Sequence, residues 1–141
     1  MNSILQKAES FVLSTLNENL KSAYVYHTFY HAQFVVSKIN EIIQDENLSE
    51  DEKEMVLLSG WFHDIGYTVD KAKHEDHSIA IATAFLTKEG LDENKIQQIS
   101  ACINATKLNE TPANLLQKIL CDADFAHLAA KNYDKLSRQL K

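Results

Sequence analysis

An all-α fold, a single bundle of about six to seven helices, is what this sequence predicts, and three observations predict it. Gly occurs 3 times and Pro once in 141 residues, too few to punctuate a β-rich chain. Leu, Ala, Glu, Lys and Gln, all strong helix formers, are plentiful. Apolar residues recur at three- and four-residue spacing in successive segments, the period of one helix face rather than the alternation of a strand. A chain of this length fits one domain, 1–141, with a real core and no room for two independent ones.

Ile4, Leu5, Ala8, Phe11, Val12 and Leu16 mark a first helix with one apolar face. A second begins near Ser22 and runs to Gln44, its stripe continued by Phe34, Val35, Ile39, Ile42 and Ile43, until the polar DENLSE interrupts it. Ser49 and Glu52 have the spacing of a capping box, in which hydroxyl and carboxylate satisfy backbone N–H groups at a helix start, so a third helix spans about Glu50 to His63. Its end is expected close to Gly66, because glycine accepts the left-handed conformation common just past a helix terminus. HEDHSIAIATAFLTKEG reads as a fourth helix with Ile79, Ala82, Phe85 and Leu86 inward and Gly90 as its stop signal. Asp92 is placed to cap a fifth through about Thr106, Thr111-Pro112 to start a sixth, and a short last helix is expected around Tyr133 to Leu140. Trp61 and Phe62 read as core anchors. No repeat, low-complexity tract or long linker divides the chain.

The 14 basic against 20 acidic residues give a net charge of −6, which argues against nucleic acid as a partner, because phosphate backbones are bound through accumulated Lys and Arg. A single small phosphorylated ligand is still compatible. Cys102 and Cys121 lie among apolar neighbours without CxxC spacing and read as buried thiols. The segment MNSILQKAES has no basic region followed by an apolar run, and no stretch of this chain is apolar enough to span a membrane, so the expectation is a soluble, cytoplasmic protein. No residue pattern assigns an oligomeric state.

The dipeptide His63-Asp64, with His31 upstream and Asp124 downstream, carries the chemistry. Two imidazoles and two carboxylates form a mixed nitrogen and oxygen donor set that suits Mn²⁺, Fe²⁺ or Zn²⁺ and, less well, Mg²⁺. Adjacent residues diverge by about 100° inside a regular helix, so His63 and Asp64 can face one point only where a helix ends.

YHTFYHAQFV, WFHDIGY, HEDHSIAIATAFL and CDADFAHL, in that order and spanning about 26–128, resemble the successive motifs of the HD-domain metal-dependent phosphohydrolase superfamily. The resemblance implies a helical bundle holding one divalent metal ion, whether Mn, Fe, Zn, Ni or Mg, through His31, His63, Asp64 and Asp124, with Asp64 and His63 as the catalytic pair. Asp124 is chosen within DADF because the family's last ligand usually follows Ala and precedes a large apolar residue; Asp122 is the reserve. His127, one turn beyond Asp124, is a second reserve that hydrogen-bonds near the site or packs. The patterns WFHDxGY, HEEHS-like HEDHS, CIxATK and CDADxxHL are more closely similar to HD proteins associated with Pycsar antiphage systems, in many of which membrane-spanning helices follow the HD domain. The ending NYDKLSRQLK carries no stop signal, which leaves both a free-standing protein and a domain of a longer one open. One departure stands out: two-metal relatives carry a histidine in the fifth-helix region where this chain has Thr106, so one tight ion is expected rather than two.

His74, His77, Lys107 and His27 are the outer candidates, for substrate or a second ion. His27 lies four residues before His31 on the same helix face, and His74 and His77 are one turn apart after the HD loop. Lys107, with Lys71 and Lys73 in the loop, could supply positive charge to a phosphate oxygen. Of Tyr24, Tyr26 and Tyr30, Tyr30 is placed to border the site while the other two pack. The leading reading is a metal-dependent phosphohydrolase that uses metal-activated water on a phosphomonoester or phosphodiester of a nucleotide or related small molecule. The alternative is a nucleotide-binding sensor or regulatory module, Pycsar-like, with weak or no hydrolysis of a nucleotide or cyclic nucleotide. A third, oxidative reading with two irons is disfavoured by Thr106.

Overall fold

The computed structural model describes residues 3–139, and at residues 128 and 130–139 the backbone alone. Six α-helices fill it, α1 Ile4–Asn19, α2 Ser22–Ile43, α3 Glu50–Phe62, α4 His74–Lys88, α5 Glu93–Asn104 and α6 Leu115–Gln139, with a 3-10 turn at Ile65–Thr68 and no strand among the described residues. The all-α bundle expected from composition and periodicity is therefore the fold.

Local signals account for most boundaries. Ser49 and Glu52 form the reciprocal capping box expected of them, and Ser3 and Gln6 form a second one at the start of α1. Gly90, with φ 82°, ends α4 in the left-handed region as a stop glycine should. Asp92 sits at the N-cap of α5 but makes no side-chain capping bond. Thr111-Pro112 does not start α6. Asn114 takes the cap instead: its Oδ1 accepts from the Gln117 N–H at 3.0 Å, while Gln117 Oε1 accepts from the Ala113 N–H at 2.7 Å, so helix begins at Leu115. The expected sixth and last helices are one continuous element of 25 residues, and Leu140 lies outside the described residues.

The third helix ends where expected, at Phe62 with His63 as its cap, but Gly66 has no positive φ and is not the stop signal expected of it. Gly66 is required by close approach: a Cβ there would lie 1.8 Å from the His74 carbonyl oxygen, and the Gly66 N–H donates to the Ser78 hydroxyl at 2.7 Å. The start of α4 is thereby pressed onto the turn that follows His63-Asp64.

Helix α3 is the centre of the bundle. Every residue from Met55 to Phe62 is buried, as befits a helix covered on all sides, here by α1, α2, α5 and α6. Phe62 packs with Phe11 and Phe85, ring centroids 6.1 and 5.4 Å away, and Trp61 stacks on Phe29 at 5.9 Å, so both act as core anchors. Cys102 is buried among apolar neighbours, which pushes its thiol pKa up to about 11. Cys121 is only half-buried and donates to the Ala105 carbonyl. No helix among the described residues is long and apolar enough to cross a membrane.

Candidate metal centre

His63 is the C-cap of α3, still in the helical region, and Asp64 swings to φ −115°, ψ 6° before the 3-10 turn begins. That break in helical geometry lets two consecutive side chains face one point. His31 reaches the same point from the middle of α2, and Asp124 from α6. Four donor atoms, one from each residue, lie within 4.8 Å of one another.

The spacing within the cluster is tight. His31 Nε2 stands 3.2 Å from His63 Nε2, 3.2 Å from Asp64 Oδ2 and 2.9 Å from Asp124 Oδ1. His63 Nε2 stands 3.3 Å from Asp64 Oδ2 and 3.5 Å from Asp124 Oδ1. Donors about 2.1 Å from a shared ion and about 90–110° apart lie about 3.0–3.4 Å from one another. The cluster therefore has the dimensions of a coordination shell, and its nitrogen and carboxylate chemistry suits a divalent first-row metal.

The tautomer of His63 is set from outside. His63 Nδ1 donates to the Gly60 carbonyl at 2.7 Å, so the neutral ring presents its Nε2 lone pair to the cluster. His31 Nδ1 is hydrogen-bonded to His127 Nδ1, leaving Nε2 for the cluster. The ring of His127 is buried and stacks on Phe34 at 4.3 Å and on His31 at 4.7 Å. The His63 lone pair faces His31 Nε2 between two carboxylates, an arrangement that a proton on His31 Nε2 or a metal ion satisfies.

The protonation equilibria reflect that arrangement. Burial disfavours the imidazolium of His63, yet the carboxylates of Asp64 and Asp124 outweigh it and hold the pKa well above its ordinary value. His31 is raised on the same balance. Burial likewise opposes the carboxylates, but the imidazoles keep Asp64 and Asp124 well below the ordinary carboxylate range.

His74 joins the site from the first turn of α4. Its Nε2 lies 3.1 Å from Asp64 Oδ1 and 3.5 Å from Glu75 Oε2, and its ring hydrogen-bonds the backbone of Lys71. Burial works against the charged ring, but Asp64 and Glu75 raise its pKa, so His74 is held toward imidazolium. Asp64 thus serves two partners, Oδ2 for the cluster and Oδ1 for His74. Tyr67 stacks on His74 with centroids 4.0 Å apart. Its hydroxyl pKa is pushed up to about 12 by burial and by the nearby carboxylates of Asp64, Glu75 and Asp124.

The other candidates stand apart. Asp122 and His27 are exposed, and His27 meets Tyr26 edge-on. His77 is half-buried on α4 but forms no part of the donor cluster. Lys107 is paired with Asp76 at 2.7 Å. Thr106 gives its hydroxyl to the Ile103 carbonyl at 2.7 Å, closing the end of α5. Tyr24, Tyr26 and Tyr30 are all exposed, so the expectation that two of them pack is not met; Tyr30 approaches His127 at 5.8 Å. Tyr67 and Ser78 were missed by sequence reasoning. The one signal for Ser78 is a small polar residue at a buried position of α4, and Tyr67 lies inside the WFHDIGY motif without periodicity to mark it.

A sequence model of the HD domain matches residues 25–128. No curated protein and no solved structure matches the chain.

Proposed function

This chain belongs to the HD-domain family, a family of metal-dependent phosphohydrolases, and on that premise we propose that it hydrolyses a phosphomonoester or phosphodiester of a nucleotide or related small molecule. The convergence of His31, His63, Asp64 and Asp124 carries the reading, because it places four buried or half-buried nitrogen and oxygen donors at ligand spacing around one point. These four residues would hold one divalent ion. The chemistry supplied by an ion there is Lewis acidity, which makes a water nucleophilic near neutral pH and polarises the phosphoryl oxygen.

The residues around that centre divide the work. Asp64 would hold the ion through Oδ2 and, with Oδ1 on His74, orient the attacking water. His74, 3.1 Å from Asp64 Oδ1, is placed to neutralise charge on the phosphate. His63, fixed by Gly60, keeps one nitrogen directed at the centre throughout. Thr106 offers no nitrogen for a second ion and its hydroxyl is already engaged, which supports a single tight site.

The test is metal content of protein purified without added ions and dialysed, followed by hydrolysis across nucleotide, cyclic-nucleotide and simple phosphomonoester panels. About one equivalent of metal and turnover of at least one class are expected. Asp124→Asn should lose far more metal affinity than the roughly 10–100-fold typical of removing a hydrogen-bond partner to a ligand, while Asp122→Asn should change it little. Equal effects of the two, or two tightly held ions, would overturn the assignment. Metal and nucleotide binding without turnover would favour instead the sensor reading that the Pycsar-like motifs suggest.

A further inference from the structure

Beside the metal cluster lies a cavity of about 410 Å³ lined by Leu20, Tyr24, Thr28, Tyr67 and Lys71. Its size falls in the roughly 300–1,000 Å³ range of small-molecule sites. Two features place it next to the centre. Tyr24, Thr28 and His31 follow one another at four- and three-residue spacing on α2, so the wall of the cavity and a donor of the cluster share one helix stripe. From the other side, Tyr67 stacks on His74, and the backbone of Lys71 accepts from the same ring.

The lining has a definite chemistry. Tyr24 and Tyr67 offer aromatic surface, Leu20 an apolar end, Thr28 a hydroxyl, and Lys71 is the charged residue of the set. The lining carries one cation, Lys71, and no carboxylate, so an anionic group held in the cavity has Lys71 as its partner. Tyr24 stands seven residues from His31, about 10 Å along the helix, so a group gripped there belongs to a substrate longer than a phosphate and a short alcohol.

We propose that this cavity holds the part of the substrate that carries the scissile phosphate, and that it selects a planar aromatic or heteroaromatic ring bearing a second anionic group, with the ring against Tyr24 and Tyr67 and the anion on Lys71. The inference rests on the cluster being the place where the phosphate is held. It assigns specificity to residues outside the metal centre: Tyr24 recognises the ring and Lys71 the second charge.

The test uses phosphonates, whose carbon–phosphorus bond is not hydrolysed, titrated calorimetrically into the full chain loaded with Mn²⁺. Ethylphosphonate has no ring, naphthylmethylphosphonate has a planar fused aromatic system, and its 6-carboxylate adds the second anion. The ring is expected to improve affinity about tenfold and the carboxylate about a further fivefold. Tyr24→Ala should erase the first ratio and Lys71→Met the second, with metal content equal to that of the parent. Ratios that survive both substitutions, or a naphthyl probe that binds no better than the ethyl one, overturn the proposal. Hydrolysis of naphthyl phosphate is measured in parallel. If the ratios behave as expected and no ester turns over, the cavity assignment stands and the hydrolase reading falls; turnover with unaltered ratios does the reverse.

Discussion

His127 shows how much of the candidate metal centre is decided by residues outside its four donors. His31 can present Nε2 to the cluster because Nδ1 is engaged by His127, whose ring is itself fixed between Phe34 and His31. His127→Phe should keep the stack and remove the nitrogen, weakening metal binding about 10–100-fold while helix content by circular dichroism stays that of the parent. Parent-like metal affinity in that variant would show that His31 orients itself. The HD pair was legible in the sequence because adjacency is itself a geometric statement: two neighbouring donors must sit at a helix end. The separation of Asp124 from Asp122 was legible only through the motif, since both residues belong to the same short acidic run. The cavity wall was not legible, because Leu20, Thr28 and Tyr67 meet through packing between segments and carry no local pattern of their own.

At the scale of elements, the turn between α3 and α4 sets the distance between Asp64 and His74, and Gly66 is its constraint. A methyl group there collides with the His74 carbonyl, so the first turn of α4 must move away and the Gly66–Ser78 hydrogen bond must stretch. Gly66→Ala is expected to destabilise the protein by about 2–3 kcal/mol, a fall in Tm of about 6–10 °C. It should also lower turnover in protein that still carries its metal, because His74 leaves Asp64. A Tm within a degree of the parent would mean the two segments are not tightly apposed in solution. Sequence reasoning found the right glycine and the wrong reason, because a residue with no side chain can be required by backbone sign or by a neighbour's approach, and only the second depends on contacts far along the chain. Helix starts were read well where a reciprocal capping box announced them, as at Ser49. They were misread at Thr111-Pro112, where the favourable proline lost to the two side-chain bonds of Asn114 and Gln117.

For the whole molecule, we propose one domain across the chain: α1 begins outside the matched 25–128 region, yet its Ala8, Val12 and Leu16 lie in the same core as α3 and α5. Stability and metal binding should then be coupled through the central cluster, with a dependence on pH that can be worked out by sign. In the metal-free protein, His31 and His63 have raised pKa values, so their contribution is fully present below the ordinary imidazole value of 6.5 and is lost as pH rises through the folded values. Asp64 and Asp124 have lowered values, so theirs is present above 3.8 and is lost as pH falls through the folded ones. The cluster therefore stabilises the metal-free chain most between pH 3.8 and 6.5 and progressively less above that window. A divalent ion needs the same imidazoles deprotonated, so its binding releases protons and strengthens as pH rises. Melting in a chelator should give a Tm that falls between pH 6 and pH 9. Added Mn²⁺ should raise Tm little at pH 6 and by about 8 °C at pH 8 when present at about a hundred times its Kd. The opposite trend, a larger metal effect at pH 6 than at pH 8, would show that the ion is held by carboxylates without the two histidines.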